Sequence, residues 1–258
     1  MSPDTNIGGT PRAFETTVWS DILAAANPES PKYRECLDRL FRSYWKPVYA
    51  YIRAAWRKKN EDAKDLTQAF FTQLLEKDTL ARMHPERGSF RGYLKIALAH
   101  FLIDAERHES VRRPAKPVFR LDAREGDYER LEPASTDEEP EAAYDREWFR
   151  GVLDSAVDDL RVELIQEGKA VWFDVFRMYC LEPGGLTKGT RETIVMDGDM
   201  PGVTYELVAR RFAVSETQVR HYLAYCRGSL RRLLRKRVRE YTAREEDVDP
   251  ELQAILKG

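Results

Sequence analysis

Cysteine and histidine are scarce in this chain, with three cysteines (Cys36, Cys180, Cys226) and four histidines (84, 100, 108, 221) among 258 residues. They are scattered, with no CxxC and no His/Cys spacing suited to a metal, so neither a zinc site nor a disulfide framework is expected, and a reducing compartment fits. No cofactor and no metal are expected. Long apolar runs are missing too: nothing approaches the roughly 18 residues that read as a membrane span. The opening MSPDTNIGGTPRAFETT lacks the apolar centre of a signal peptide. A soluble, cytoplasmic protein without a membrane span is the expectation. The formal charge is only -2, which excludes a general polyanion binder, and any basic patch has to be local. Walker loop, GxSxG and HExxH are all absent, and the paired Asp62 and Asp65 sit on an exposed helix edge, so an enzyme is not expected.

What is present is helical periodicity over most of the length, enough for two small cores. The expected fold class is all-α, with two helical domains joined by a flexible linker. Residues 1–13, rich in Gly, Pro, Ser and Thr, read as a mobile N-terminus. A first domain is expected over 14–110, a linker over 111–141, a second domain over 142–240 and a tail over 241–258. In the first domain, Thr16 to Ala26 predicts a short helix with Val18, Trp19, Ile22 and Leu23 inward. Tyr33 to Lys58 predicts a longer one, bent at Pro47.

The chain is organised around 61–109. In its first helix Ala63, Leu66, Phe70 and Leu74 recur at helical spacing, widened by Phe71 and Leu75, with Asp62, Lys64, Asp65 and Gln68 off the stripe. After His84-Pro85-Glu86-Arg87-Gly88, Ser89 is placed to cap a second helix. Its apolar face is Phe90, Leu94, Ala97, Leu98, Phe101, Leu102 and Ala105, and its other face carries Arg91, Tyr93, Lys95, His100 and Arg107. Cations interleaved with flat side chains suit single-stranded nucleic acid, whose phosphates need charge and whose bases need stacking. An ordinary solvated helix face has the same composition.

The order Tyr44-Trp45-Lys46-Pro47-Val48-Tyr49, then Asp62-Ala63-Lys64-Asp65-Leu66-Thr67-Gln68 with Phe71, then Gly88-Ser89-Phe90-Arg91-Gly92-Tyr93-Leu94 with Asp104 and Arg107, resembles region two of bacterial sigma factors of the extracytoplasmic-function (ECF) group, sigma-70 family. The resemblance implies a polymerase-binding edge of Glu61, Asp62, Lys64, Asp65, Gln68 and Phe71. It also implies contact with minus-ten promoter DNA through Arg91, Tyr93, Lys95, His100, Arg107, Arg112 and Arg113. Lys64 stands where an acidic residue is usual in that family, and His100 where asparagine is frequent. Thr67, beside the polymerase edge, is a candidate phosphorylation site for a Ser/Thr kinase, since a phosphate adds roughly 1.5 to 2 negative charges and would restore an acidic edge. The alternative is a buried or capping hydroxyl bonded to nearby backbone. An anti-sigma factor is the other regulator such a resemblance admits.

Between 111 and 141 periodicity is lost and Pro114, Pro117, Pro133 and Pro140 punctuate a segment that runs from basic to acidic. From 142 to 181 helical spacing resumes through Trp148, Phe149, Val152, Leu153, Ala156, Val157, Leu160, Leu164, Ala170, Phe173, Phe176 and Met178, with a break at Gly168. Residues 182–202 hold five glycines (184, 185, 189, 198, 202) and are expected to form a long loop.

A helix-turn-helix is predicted over 204–238: a helix over Thr204 to Arg211, a turn at Phe212-Ala213-Val214, and Ser215 capping a second helix. Val219, Leu223, Cys226, Leu230, Leu233, Leu234 and Val238 are expected inward, with Gln218, Arg220, His221, Arg227 and Arg231 outward. From 203 to 239 ten Lys or Arg face two acids, a local +8, so phosphate-binding charge is concentrated here. Tyr205, Ala209, Ser215, Val219 and Leu230 are similar in order to sigma region four. That implies minus-thirty-five contacts from Ser215, Glu216, Thr217, Gln218, Arg220, His221, Arg227 and Arg231. Ala213 stands where glycine is frequent. The tail holds Val248, Leu252, Ile255 and Leu256 at helical spacing, a short helix packing back.

The function expected from this resemblance is a sigma factor that binds core RNA polymerase and promoter DNA. The other reading is a helix-turn-helix regulator of duplex operators that dimerises through its first domain.

Overall fold

The computed structural model describes residues 19–56, 60–76, 80, 83, 89–109, 138–181, 202–242 and 244–257, with backbone alone at 56, 60, 61, 108, 109 and 254–257. Among them every regular element is helical, as expected, and no helix is long and apolar enough to cross a membrane. The N-terminal 1–13, the body of the predicted linker and most of the loop over 182–202 lie outside the described residues.

The helices are α1 (Trp19–Ala25), α2 (Tyr33–Trp56), α3 (Asn60–Glu76), α4 (Phe90–Glu109), α5 (Pro140–Gln166), α6 (Ala170–Phe176, extended by a π turn over Arg177–Leu181), α7 (Tyr205–Phe212), α8 (Glu216–Tyr241) and α9 (Val248–Lys257). Several boundaries follow from local chemistry. Pro140, assigned by the sequence to the linker, is the first residue of α5, where its missing N–H and fixed φ cost nothing. Gly168 adopts φ +71° between α5 and α6, the left-handed geometry that ends helices. Ser89 Oγ accepts from the Gly92 amide at 3.2 Å, capping α4. The α2 helix continues through Pro47 to Trp56.

On the predicted inward faces of α3 and α4, Ala63, Phe70, Phe71, Leu74, Phe90, Leu94, Leu98, Phe101 and Leu102 are buried and Leu66, Leu75, Ala97 and Ala105 are half-buried, with Phe41 of α2 against Phe71 (4.7 Å) and Phe70 against Phe101 (5.5 Å). One α1 assignment fails: Leu23 is 49% exposed, while Trp19 and Ile22 are buried. On a seven-residue helix only one narrow stripe can face α2, and Leu23 lies off it.

The packing departs from two separate cores. The buried apolar residues form a single cluster running from Trp19 to Val248, and the most extensive helix–helix contact joins α2 of the first half to α5 of the second. Tyr51 meets Tyr144 edge-on at 6.5 Å across that contact, and the Tyr51 hydroxyl donates to Glu141 at 3.3 Å. A fully buried aromatic such as Tyr144 at this junction carries several kcal/mol of transfer and packing free energy, whereas its buried hydroxyl, without a hydrogen-bond partner among the described residues, costs about 1 to 3 kcal/mol. Tyr144→Phe is therefore expected to raise stability by about 1 kcal/mol and Tyr144→Ala to lower it by about 3 kcal/mol in urea unfolding. A Phe variant less stable than the parent would refute the assignment.

Candidate nucleic-acid interface

The helix-turn-helix is built as its local sequence dictates. Thr204 Oγ1 accepts from the Leu207 amide at 3.2 Å and starts α7. At its end Ala213 takes φ 53°, ψ 43°, a left-handed conformation costly for a residue with a Cβ. Ser215 then caps α8: its Oγ accepts from the Gln218 amide at 3.2 Å, and the Gln218 Oε1 accepts from the Ser215 amide at 2.9 Å. This reciprocal capping box gives Gln218 a structural bond as well as an exposed position, a role that the Ser-x-x-Gln spacing contained and the sequence reading did not draw out.

All seven residues expected inward on α8 are buried. Ser215, Glu216, Thr217, Gln218, Arg220 and His221 are exposed together at its N-terminal end. Glu216 pairs with Arg220 at 3.5 Å, and the Arg220 guanidinium lies 5.0 Å from the Tyr205 ring, which itself stacks on Tyr179 at 5.1 Å. Trp172 of α6 stacks on Tyr222 at 4.6 Å and meets His221 edge-on at 5.3 Å. Lys169 sits over the rings of Trp172 and Tyr225, at 4.9 and 4.3 Å. These aromatics pack α6 against the first half of α8.

Two outward assignments on α8 need correction. Arg227 is 4% exposed, with a guanidinium nitrogen 3.9 Å from Cys180 Sγ and its charge over Tyr179. Arg231 is half-buried. Arg227 packs against Tyr179 and Cys180 of the π turn, so neither residue is displayed as Arg220 is.

The first half shows a larger departure. Arg91, expected on a solvated face for phosphate contact, is 5% exposed. Its Nη1 donates to Asp145 Oδ1 at 2.5 Å and its Nε to Glu251 Oε1 at 2.8 Å, and it lies over the Trp148 ring at 5.3 Å. Lys95 Nζ reaches both oxygens of Asp145 at 3.1 Å, and the Tyr241 hydroxyl donates to Glu251 at 3.3 Å. A buried guanidinium demands such pairing, because an uncompensated buried charge costs several kcal/mol. Asp145 and Glu251 were not singled out from sequence, and no local pattern marks them.

His100 and Arg107 are exposed and Tyr93 is half-buried on α4, while Arg112 and Arg113 lie outside the described residues. On α3, Asp62 and Asp65 are exposed and Lys64 and Gln68 are half-buried. Glu61 is described by its backbone alone. Phe71 is wholly buried against Phe41 and offers no surface. Thr67 is 0% exposed and its Oγ1 donates to the Ala63 carbonyl at 2.7 Å. The buried-hydroxyl alternative therefore describes Thr67, and a kinase has no access to it in this fold.

Among the described residues no cluster of His, Cys, Asp or Glu could hold a metal ion. Comparisons with protein-family models, curated proteins and solved structures gave no match to this chain.

Replacing Ala213 by glycine removes the left-handed strain of the turn and is expected to raise stability by about 1 kcal/mol, read from a urea midpoint. A lower midpoint would mean that this turn is not left-handed. Burial pushes the Cys180 thiol up to about 11 and the Cys226 thiol up to about 12. The folded chain thus holds these protons where an unfolded thiol, near 9.0, has released them. Their contribution is intact below about pH 9 and is lost as pH rises toward 11 and 12. Urea midpoints should fall across that window, and Cys226→Ala should fall less steeply despite a lower starting value.

Proposed function

We propose that the chain is a DNA-binding transcription factor of the sigma type, which docks on core RNA polymerase and directs initiation through promoter contacts. The observation that carries the reading is the exposed set Gln218, Arg220 and His221 at the start of α8, behind a capped helix-turn-helix. The order of motifs that resembles sigma regions two and four supplies the polymerase half of the proposal, with Asp62 and Asp65 exposed on α3 as the acidic edge for it. The chain supplies aim and no covalent chemistry. Its work is binding free energy, with the α8 N-terminus on intact duplex and α4 on an opened strand.

One observation favours the second reading, a regulator that acts on duplex alone. Arg91 and Lys95 are engaged by Asp145 and Glu251, which leaves the helix-turn-helix as the better presented surface. Under that reading polymerase is not needed and the chain binds operators by itself.

Run-off transcription with purified core RNA polymerase on a pool of genomic fragments separates the two. Discrete transcripts that appear only when the chain is added are the expected result, with co-elution of chain and polymerase on gel filtration. Arg220→Ala or His221→Ala should then weaken discrimination by about 1 to 3 kcal/mol per lost base contact, seen as relaxed start-site choice. Silence on every template, with tight duplex binding by the chain alone, would replace the sigma reading with the regulator.

A further inference from the structure

The C-terminal half of α8 carries a second line of cations apart from the recognition end. Arg232, Arg235, Lys236 and Arg239 are all exposed. At 1.5 Å per residue the stretch from Arg232 to Arg239 covers about 10 Å of helix axis, a length over which one DNA strand carries about three phosphates. In the folded chain carboxylates already occupy this line. Arg235 holds Asp249 at 2.5 Å and Glu245 at 3.4 Å, Arg239 holds Glu245 at 2.8 Å, and Arg232 holds Glu163 of α5 at 2.6 Å. Two of these three acids belong to the tail. The same tail places Glu251 on Arg91 at 2.8 Å.

We infer that this ridge of α8 is a binding surface for a polyphosphate backbone, and that residues 244–257 are its built-in competitor, with Glu245 and Asp249 standing where phosphates would lie. The acids and the arginines they hold are solvent-exposed, so these contacts are weak and open to exchange. Val248, fully buried, and Glu251 on Arg91 keep the segment in place between exchanges. Displacing it frees the ridge and removes one of the two carboxylates that hold Arg91, so engagement of a backbone at α8 and release of the α4 cation are coupled events. The inference rests on the nucleic-acid reading for the natural identity of the polyanion, while the contact itself does not depend on it.

The test uses the full chain, with labelled heparin as a general polyanion and a labelled random-sequence duplex as the second probe. Glu245→Gln combined with Asp249→Asn frees two guanidinium groups. It should tighten heparin binding roughly tenfold at low salt and steepen the dependence of log Kd on log salt by about two ions. Hydrogen exchange on the unaltered chain gives a readout that needs no variant: saturating heparin should raise exchange in 248–257. If heparin affinity changes less than twofold in the variant and the tail keeps its protection, or if heparin does not bind, the inference is overturned. If heparin displaces the tail but duplex never binds, the ridge stands as a polyanion surface and the promoter-binding proposal falls instead.

Discussion

A single helix with two apolar faces holds this molecule together. Over its 27 residues α5 buries Tyr144, Trp148, Phe149, Val152, Leu153, Ala156, Leu160 and Leu164, more than one amphipathic stripe can contain. One side packs on α2 and the other on α8, so the first half, the helix-turn-helix and the tail all close on the same element. Losing that contact would open the shared core from both sides, and the placement of Arg91, Lys95 and the α8 ridge follows from it. Asp145 lies on α5, and it is α5 that carries this carboxylate to Arg91 and Lys95 of α4.

Charge is arranged by the same packing. The chain is nearly neutral overall, yet its second half contains a strongly basic helix. Arg232, Arg235, Arg237 and Arg239 are answered within the fold, by Glu163 and Asp159 of α5 and by Glu245 and Asp249 of the tail. Buried pairs such as Arg91 with Asp145 and Glu251 are required by desolvation. Exposed pairs on α8 contribute little and exchange easily with other anions. The difference separates cations that serve the fold from cations available to a partner.

Much of the helix-turn-helix was legible in residue order, because its determinants are local. A threonine and a serine cap the two helices, and the inward positions repeat at helical spacing. The same holds for Ser89, Gly168 and the inward faces of α3 and α4. Leu23, Arg91, Thr67 and Arg227 were misplaced or left open for one shared reason. Periodicity says which face a residue occupies on its own helix, and it does not say which second helix arrives over that face.

The all-helical class, the helix-turn-helix and most buried positions could be read from residue order, since these depend on contacts within one or two turns of chain. The shared core of the two halves, the burial of Arg91 against Asp145 and Glu251, and the seat of the tail on the cations of α8 arise from the packing of whole helices. Those contacts join residues separated by 54, 160 and 14 positions. Long-range pairing of that kind is set by how whole helices fit together, which no local spacing encodes.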